Sequence, residues 1–317
     1  MMAVWQNIPV TEVVGYLGTG GSGGSRPILL RTEGGETVHV KLQLNPQSTR
    51  SLANDWIGTL LGKSLGAPFL DVRLVRIRWE QLGQLPFLLR SRWHPGLQFG
   101  TAFLAGAEKV TAASIGNLDN LDDLPLAALT ESWLFNLDLK SSHILAVPGA
   151  AGHRLVLTDH GFIFPYGPNW SLSDLARYRR QFPAVKPLTV LAMATPRRFS
   201  FHSALQATGS VTRQDLADLL NSVPQEWGLS ARRKEAILSF LLFRQNRLKR
   251  VAEYLEALWN QGKPVATESA KSEEPEEAED PEGREFGPVA EDSMPLETEA
   301  QGKEGEPDDH EDSARGT

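Results

Sequence analysis

The sequence predicts an α+β fold of two lobes, strand-rich at the front and helical behind, followed by a disordered acidic tail. Three observations lead there. Apolar residues alternate through most of the first hundred positions, helical spacing takes over after Gly96, and charge splits sharply between body and tail. The chain has 317 residues and a net charge of -7. From Val265 to Thr317 there are 19 acidic and 4 basic residues, so the preceding body carries 20 acidic and 28 basic, a net of +8. With one aromatic, Phe286, the tail has too little apolar surface to offset the entropy of ordering. The expected units are therefore 1–95, strand-rich; 96–262, helical; and 263–317, the tail.

Residues 9–17 alternate loosely and run into the glycines of 18-GTGGSGGSRP-27, after which ILLR and ETVHVKLQL bracket the turn Glu33-Gly34-Gly35. In Ser51–Leu65 the period changes. Leu52, Trp56, Leu60 and Leu61 share one helical face, and Gly66 before Pro68 marks the end. DVRLVRIRW and LPFLLRSRW are two further strand candidates. Helices are expected over 124–135, 172–182, 212–221, 230–243 and 245–260. Between the first two lies 136-NLDLKSSHILAV-147, a short turn, and HRLVLTDHGFIF, with a strand on each side of a break.

The chain has no cysteine, which excludes disulfides, thiolate zinc sites and a cysteine nucleophile. The opening MMAVWQNIPVTEVV lacks a basic stretch and a cleavage site, and no run approaches a membrane span, so a cytoplasmic protein with no membrane partner is expected. The positive body suits a polyanionic ligand. Arg179-Arg180 and Arg232-Arg233-Lys234 have no interleaved aromatics and read as solvated helix faces, so nucleic acid is not an expected partner.

Three motifs in the glycine-rich sequence mislead. Gly18 to Gly23 fits G-x-G-x-x-G, and Gly20 to Gly24 fits G-x-S-x-G, but each requires a following helix where Pro27 and Ile28-Leu29-Leu30 stand. The stretch 58-GTLLGKS-64 is one residue short of a phosphate loop, and its leucines belong to the helix's apolar face. The ordinary reading of 18–25 is a flexible surface turn. A glycine hairpin followed by a strand lysine is, however, a device for laying backbone N–H groups over phosphates while an ammonium pairs with them. With Val40 and Leu42 on one face of the strand, Lys41 points to the other.

The informative stretch is Asn136 to His143. Protein kinases use H-R-D-L-x-x-x-N, in which the aspartate accepts a hydroxyl proton and the asparagine five residues on holds a metal; Asp138 and His143 have that spacing. Lys140 stands where an ammonium could neutralise a transferring phosphoryl group. Sixteen residues beyond His143 comes Asp159 of Thr158-Asp159-His160-Gly161, in the place of D-F-G. Singly, Asp138 reads as a turn cap and Asp159 as an Asx-turn. His94, His153, His160 and His202 show no metal-ligand spacing and read as structural or surface residues.

Together these pieces resemble the HipA-like kinases, relatives of the bacterial persistence-type serine/threonine kinases, over roughly residues 10–260. The pieces are GTGGSGGSRP, VHVKLQ, the helix opening Asn54-Asp55-Trp56-Ile57 and ending LGKSLGAP, the loop around Asn136 and Asp138, and TDHG. The resemblance implies a bilobal protein-kinase-like fold that binds ATP with magnesium or manganese. It places Gly18, Gly20, Gly21, Ser22, Gly23, Gly24 and Ser25 over the phosphates, Lys41 on them, Asp138 as base and Asp159 as metal ligand. Two departures stand out. Asp55 occupies the place of the glutamate that partners the lysine, and His143 that of the metal-binding asparagine, where an imidazole suits manganese better than magnesium. The implied activity is transfer of the γ-phosphoryl group to a Ser or Thr hydroxyl of a protein. The alternatives are an inactive kinase-like module that binds a nucleotide or a partner, and a small-molecule kinase. Lys41 and Asp159 are expected to line a cleft without supporting the core.

Overall fold

A computed structural model of the chain describes Trp5 and residues 8–21, 23–84, 96–149 and 152–264. Most of the expected tail and the strand candidate LPFLLRSRW lie outside them. Five strands close into a barrel in the order β1-β2-β3-β5-β4: β1 Val10–Thr19, β2 Ile28–Thr32, β3 Thr37–Lys41, β4 Val72–Ile77 and β5 Gly96–Ala102. All neighbours are antiparallel except β1 and β4, which run parallel and complete the closure. Alternation sends Val13, Ile28, Leu30, Val38, Val40, Val75 and Ile77 into a small barrel core. Residues 37, 39 and 41 therefore face outward on β3. Because β5 pairs with both β3 and β4, the strand-rich part runs through Ala102, past the boundary expected at 95/96.

Helix α1, Thr49–Leu65, lies against the barrel. The expected apolar stripe is present, yet the helix is buried almost all round, because later segments of the chain cover its other faces. It ends at Gly66, whose φ of 86° is a left-handed turn that favours glycine and lets its N–H reach the Lys63 carbonyl.

The remaining described residues form a small antiparallel sheet and a helical layer. The sheet has the order β6 Glu108–Lys109, β7 Ile144–Pro148 and β8 His153–Leu157. The helices are α2 Leu124–Leu134, α3 Leu172–Tyr178, α4 Lys186–Met193, α5 His202–Gly209, α6 Arg213–Asn221, α7 Ala231–Gln245 and α8 Leu248–Asn260. Five of these match expected helices, while α4 and α5 were not expected. Each spans 8 residues, too short for a sustained apolar period, and packing of Leu188, Leu191 and Ala204 into the main core holds them. Trp133, Trp170, Trp227 and Trp259 anchor that core. Helix α2 stops at Phe135, which adopts φ 59°, and the buried Arg244 donates to the Trp133 carbonyl at 2.7 Å and to those of Ser132 and Gln181. Those bonds fix where the chain leaves α2 and enters the Asn136–His143 loop.

Candidate functional site

Lys41 leaves the outward face of β3 and its ammonium sits 2.7 Å from Asp55 Oδ2 and 2.7 Å from Asp159 Oδ1. Asp55 comes from the buried face of α1, and its second oxygen accepts the backbone N–H of His160 at 2.9 Å. One residue earlier, Asn54 donates to the carbonyls of Gly161 at 3.0 Å and Ile163 at 3.2 Å. The helix is thus fastened to the turn that carries Asp159. Close approach depends on Gly58, one turn after Asp55, where a Cβ would stand 2.7 Å from that of His160. The short Asp55 side chain reaches the lysine because the helix comes this near. Asp159 itself has φ 65°, a left-handed conformation that aspartate tolerates better than most residues.

The expectation that Lys41 does not support the core is corrected here: its side chain is 7 % exposed and Asp55 is 1 % exposed. Burial opposes the charge on Lys41, but the two carboxylates outweigh it and raise its pKa. Burial likewise disfavours ionised Asp159, yet the attraction and hydrogen bond of Lys41 hold its carboxyl below the usual carboxylate range. At Asp55 burial prevails over Lys41 and the pKa rises.

The cluster floors a cavity of about 440 Å³. Gly20, Gly23, Ser25 and Pro27 of the β1–β2 loop line it, with the apolar Leu70, Phe99, Phe103, Leu104 and Leu145 and the polar Ser142, His143 and Thr158. The loop is held across its base by Gly20 N–H to the Pro27 carbonyl at 2.8 Å and by His39 Nε2 to the Gly20 carbonyl at 3.0 Å. Of the other loop residues expected over phosphates, Gly18, Gly21 and Gly24 are not among the lining residues, and Ser22 lies outside the described residues.

His143 Nε2 is 3.7 Å from Asp159 Oδ2, while its buried Nδ1 has no partner. Burial lowers its pKa against the pull of Asp159 and Asp138, which favours the neutral imidazole a metal requires. Asp159 Oδ1 takes the Lys41 ammonium, and Oδ2 is the oxygen measured against His143. The two groups therefore offer one oxygen and one nitrogen donor. Among the described residues no three His, Cys, Asp or Glu side chains converge as a metal cluster. Asp138 and Lys140 stand apart from the lining residues and pair with each other at 2.9 Å, with Lys140 58 % exposed.

Sequence reasoning gave no role to His39 or Glu131, named Asn54 only within the helix opening, and took His160 only as structural or surface. The outward register of β3 could have found His39, since it shares a face with Lys41. Nothing local marks Glu131, which is buried in α2 and meets His160 only in the folded chain.

No protein-family profile matches the chain. No curated protein matches it either. Among solved structures, the proinflammatory kinase CtkA of Helicobacter pylori is similar at 14% identity and TM-score 0.45, over 79% of this chain and 98% of that one. The Golgi casein kinase is similar at 10% identity and TM-score 0.44, over 80% and 74%. HipA of Shewanella oneidensis, in complex with HipB and operator DNA, is similar at 10% identity and TM-score 0.35, over 71% of this chain and 60% of that chain. These likenesses are loose and remote. No helix among the described residues is long and apolar enough to cross a membrane.

Proposed function

We propose that the chain is an ATP-dependent phosphotransferase of the HipA-like type that moves the γ-phosphoryl group onto a Ser or Thr hydroxyl of a protein. The observation that carries this reading is the buried Lys41, bridging Asp55 and Asp159 beneath the glycine loop. A cavity of about 440 Å³ lined by both apolar and polar residues suits a nucleotide, the base against the leucines and phenylalanines and the phosphates at the loop. In this reading the barrel with α1 is the smaller lobe of a bilobal protein-kinase-like fold, and the helices form the larger.

Each residue then has a task. Backbone N–H groups of the loop accompany the phosphates, and Lys41, already oriented by two carboxylates, presents its ammonium to them. Asp138 takes the proton of the acceptor hydroxyl as its oxygen bonds to the γ-phosphorus and the bond to the β-phosphate breaks, leaving ADP. Lys140 stands beside it to balance charge. Asp159 Oδ2 and His143 would hold magnesium or manganese, which when bound neutralises phosphate charge; the nitrogen donor favours manganese. An exposed Leu137 next to Asp138 leaves that side open to an acceptor as large as a protein.

A second reading, an inactive nucleotide-binding module, is favoured by one observation: Asp138 is paired with Lys140 and does not line the cavity. Labelled ATP with either metal separates the two. A thermal shift with nucleotide that Lys41→Ala abolishes, together with label transfer to protein, supports the enzyme. A shift without transfer supports the module, and no shift in the wild type would sink both.

A further inference from the structure

Beneath the cavity, a carboxylate that the proposed chemistry does not use joins the two loops that it does use. Glu131 of α2 is fully buried, and His160, Asn136 and Thr59 around it are each at most 3 % exposed. Glu131 Oε1 lies 3.0 Å from His160 Nε2, and its Oε2 accepts from Asn136 Nδ2 at 2.8 Å. On the far side of the ring, His160 Nδ1 is 3.0 Å from Thr59 Oγ1, and Phe69 stacks on the imidazole at 4.3 Å. Asn136 has its amide oxygen left over, and uses it to accept the backbone N–H of Asp138 at 3.1 Å. His160 meanwhile donates its own N–H to Asp55, the partner of Lys41. An unbroken line of hydrogen bonds therefore runs from the Lys41 cluster through His160 and Glu131 to the backbone of Asp138.

We propose that Glu131 is a positioning residue: by accepting from His160 and Asn136 at once, it sets the Asp138 backbone relative to the Asp159 turn. The role rests on the phosphotransferase reading for its purpose, but not for its geometry. The chemistry of the chain makes it specific. A carboxylate accepts at both oxygens, so Nε2 of His160 carries a proton, and with the ring neutral the Thr59 hydroxyl donates to Nδ1. Asn136 is then forced to turn its NH2 toward Glu131 and its oxygen toward Asp138. Reversing that amide would set donor against donor at Asp138. Burial leaves no water to repair a mismatch, so orientation passes along the line from one residue to the next.

Backbone amide exchange at Asp138 reads the last link directly, whether or not the protein turns over. Glu131→Leu removes both acceptors and should speed exchange of the Asp138 amide by about tenfold, while amides of the barrel strands keep their wild-type rates. The conservative Glu131→Gln should retain protection. Its oxygen accepts from Asn136, and its NH2 donates to His160, which moves its proton to Nδ1 and donates to Thr59. Adding Thr59→Val to Glu131→Gln removes that acceptor and should lose protection again. Should Glu131→Leu fail to fold, Asn136→Ala leaves the Glu131–His160 pair in place and should give the same local loss. Wild-type exchange at Asp138 in the folded Glu131→Leu protein, or in Asn136→Ala, overturns the proposal; so does an equal acceleration at every amide. ATP turnover by the wild type, measured alongside, tests the phosphotransferase reading separately.

Discussion

Lys41 and Lys140 both hold carboxylates at hydrogen-bond distance, in opposite surroundings. The first sits 2.7 Å from Asp55 and 2.7 Å from Asp159 with its side chain 7 % exposed. The second sits 2.9 Å from Asp138 and is 58 % exposed. Around Lys41 and Asp55 water is largely excluded, while Asp159 is 39 % exposed where it lines the cavity; the buried pair holds its geometry before any ligand arrives. Around Lys140 water competes for both ions, and such a pair is worth about 0–1 kcal/mol. The position of Asp138 must come from elsewhere, and the Asn136 bond to its backbone supplies it. Under the proposed chemistry, Asp138 would exchange Lys140 for an acceptor hydroxyl while its backbone stays held.

The largest expected effect separates the two lysines. Lys41→Ala leaves Asp55 buried without its cation and should lower unfolding free energy by about 3–5 kcal/mol, with loss of the nucleotide-dependent thermal shift. Lys140→Ala should cost no more than about 1 kcal/mol in urea unfolding. Equal losses from the two variants would break the contrast. Next comes Asp138→Asn, which should reduce phosphotransfer by about 10²–10⁴-fold while leaving ATP affinity and stability near wild type. A weakened ATP affinity there would move Asp138 to the nucleotide side.

His143 stands between the two regions and sharpens the comparison. Wild-type turnover should be faster with manganese than with magnesium, and His143→Asn should raise the magnesium-supported rate by about tenfold by restoring an oxygen donor. Identical rates in both metals, unmoved by the substitution, would remove His143 from the metal site.

The smallest effect concerns His39, whose pKa burial lowers from 6.5 against the bond to the Gly20 carbonyl. Because its folded pKa lies below the unfolded value, the unfolded chain binds the proton first as pH falls. Stability from this group is therefore present above about pH 6.5 and is lost on acidification, by at most about 1.4 kcal/mol per pH unit. His39→Gln should flatten that slope between pH 7.5 and 5.5 in urea unfolding. An unchanged slope would mean that His39 is not desolvated beneath the loop.

Local pattern was enough to place β2, β3 and their turn, because alternation and a glycine pair are properties of neighbouring residues. The same holds for α1 and its stop at Gly66, and for the outward register of Lys41. Asp159 stood out in the sequence through its motif, and it lines the cavity beside Lys41. Its meeting with Lys41 across 118 positions was not legible there, since that distance depends on how α1 packs against the turn.

Residue order along the chain determined which side chains share a strand or helix face, and so fixed Lys41 outward, Asp55 on α1 and the Asn136–His143 loop after α2. Tertiary structure alone decided that β1 and β4 close the barrel and that β5 belongs to it. It also decided that Lys41 is buried between two carboxylates, and that Glu131 meets both His160 and Asn136. The physical reason is that periodicity reports only which face a residue takes. Burial, ion pairing and the direction of a hydrogen bond depend on what another segment brings to that face.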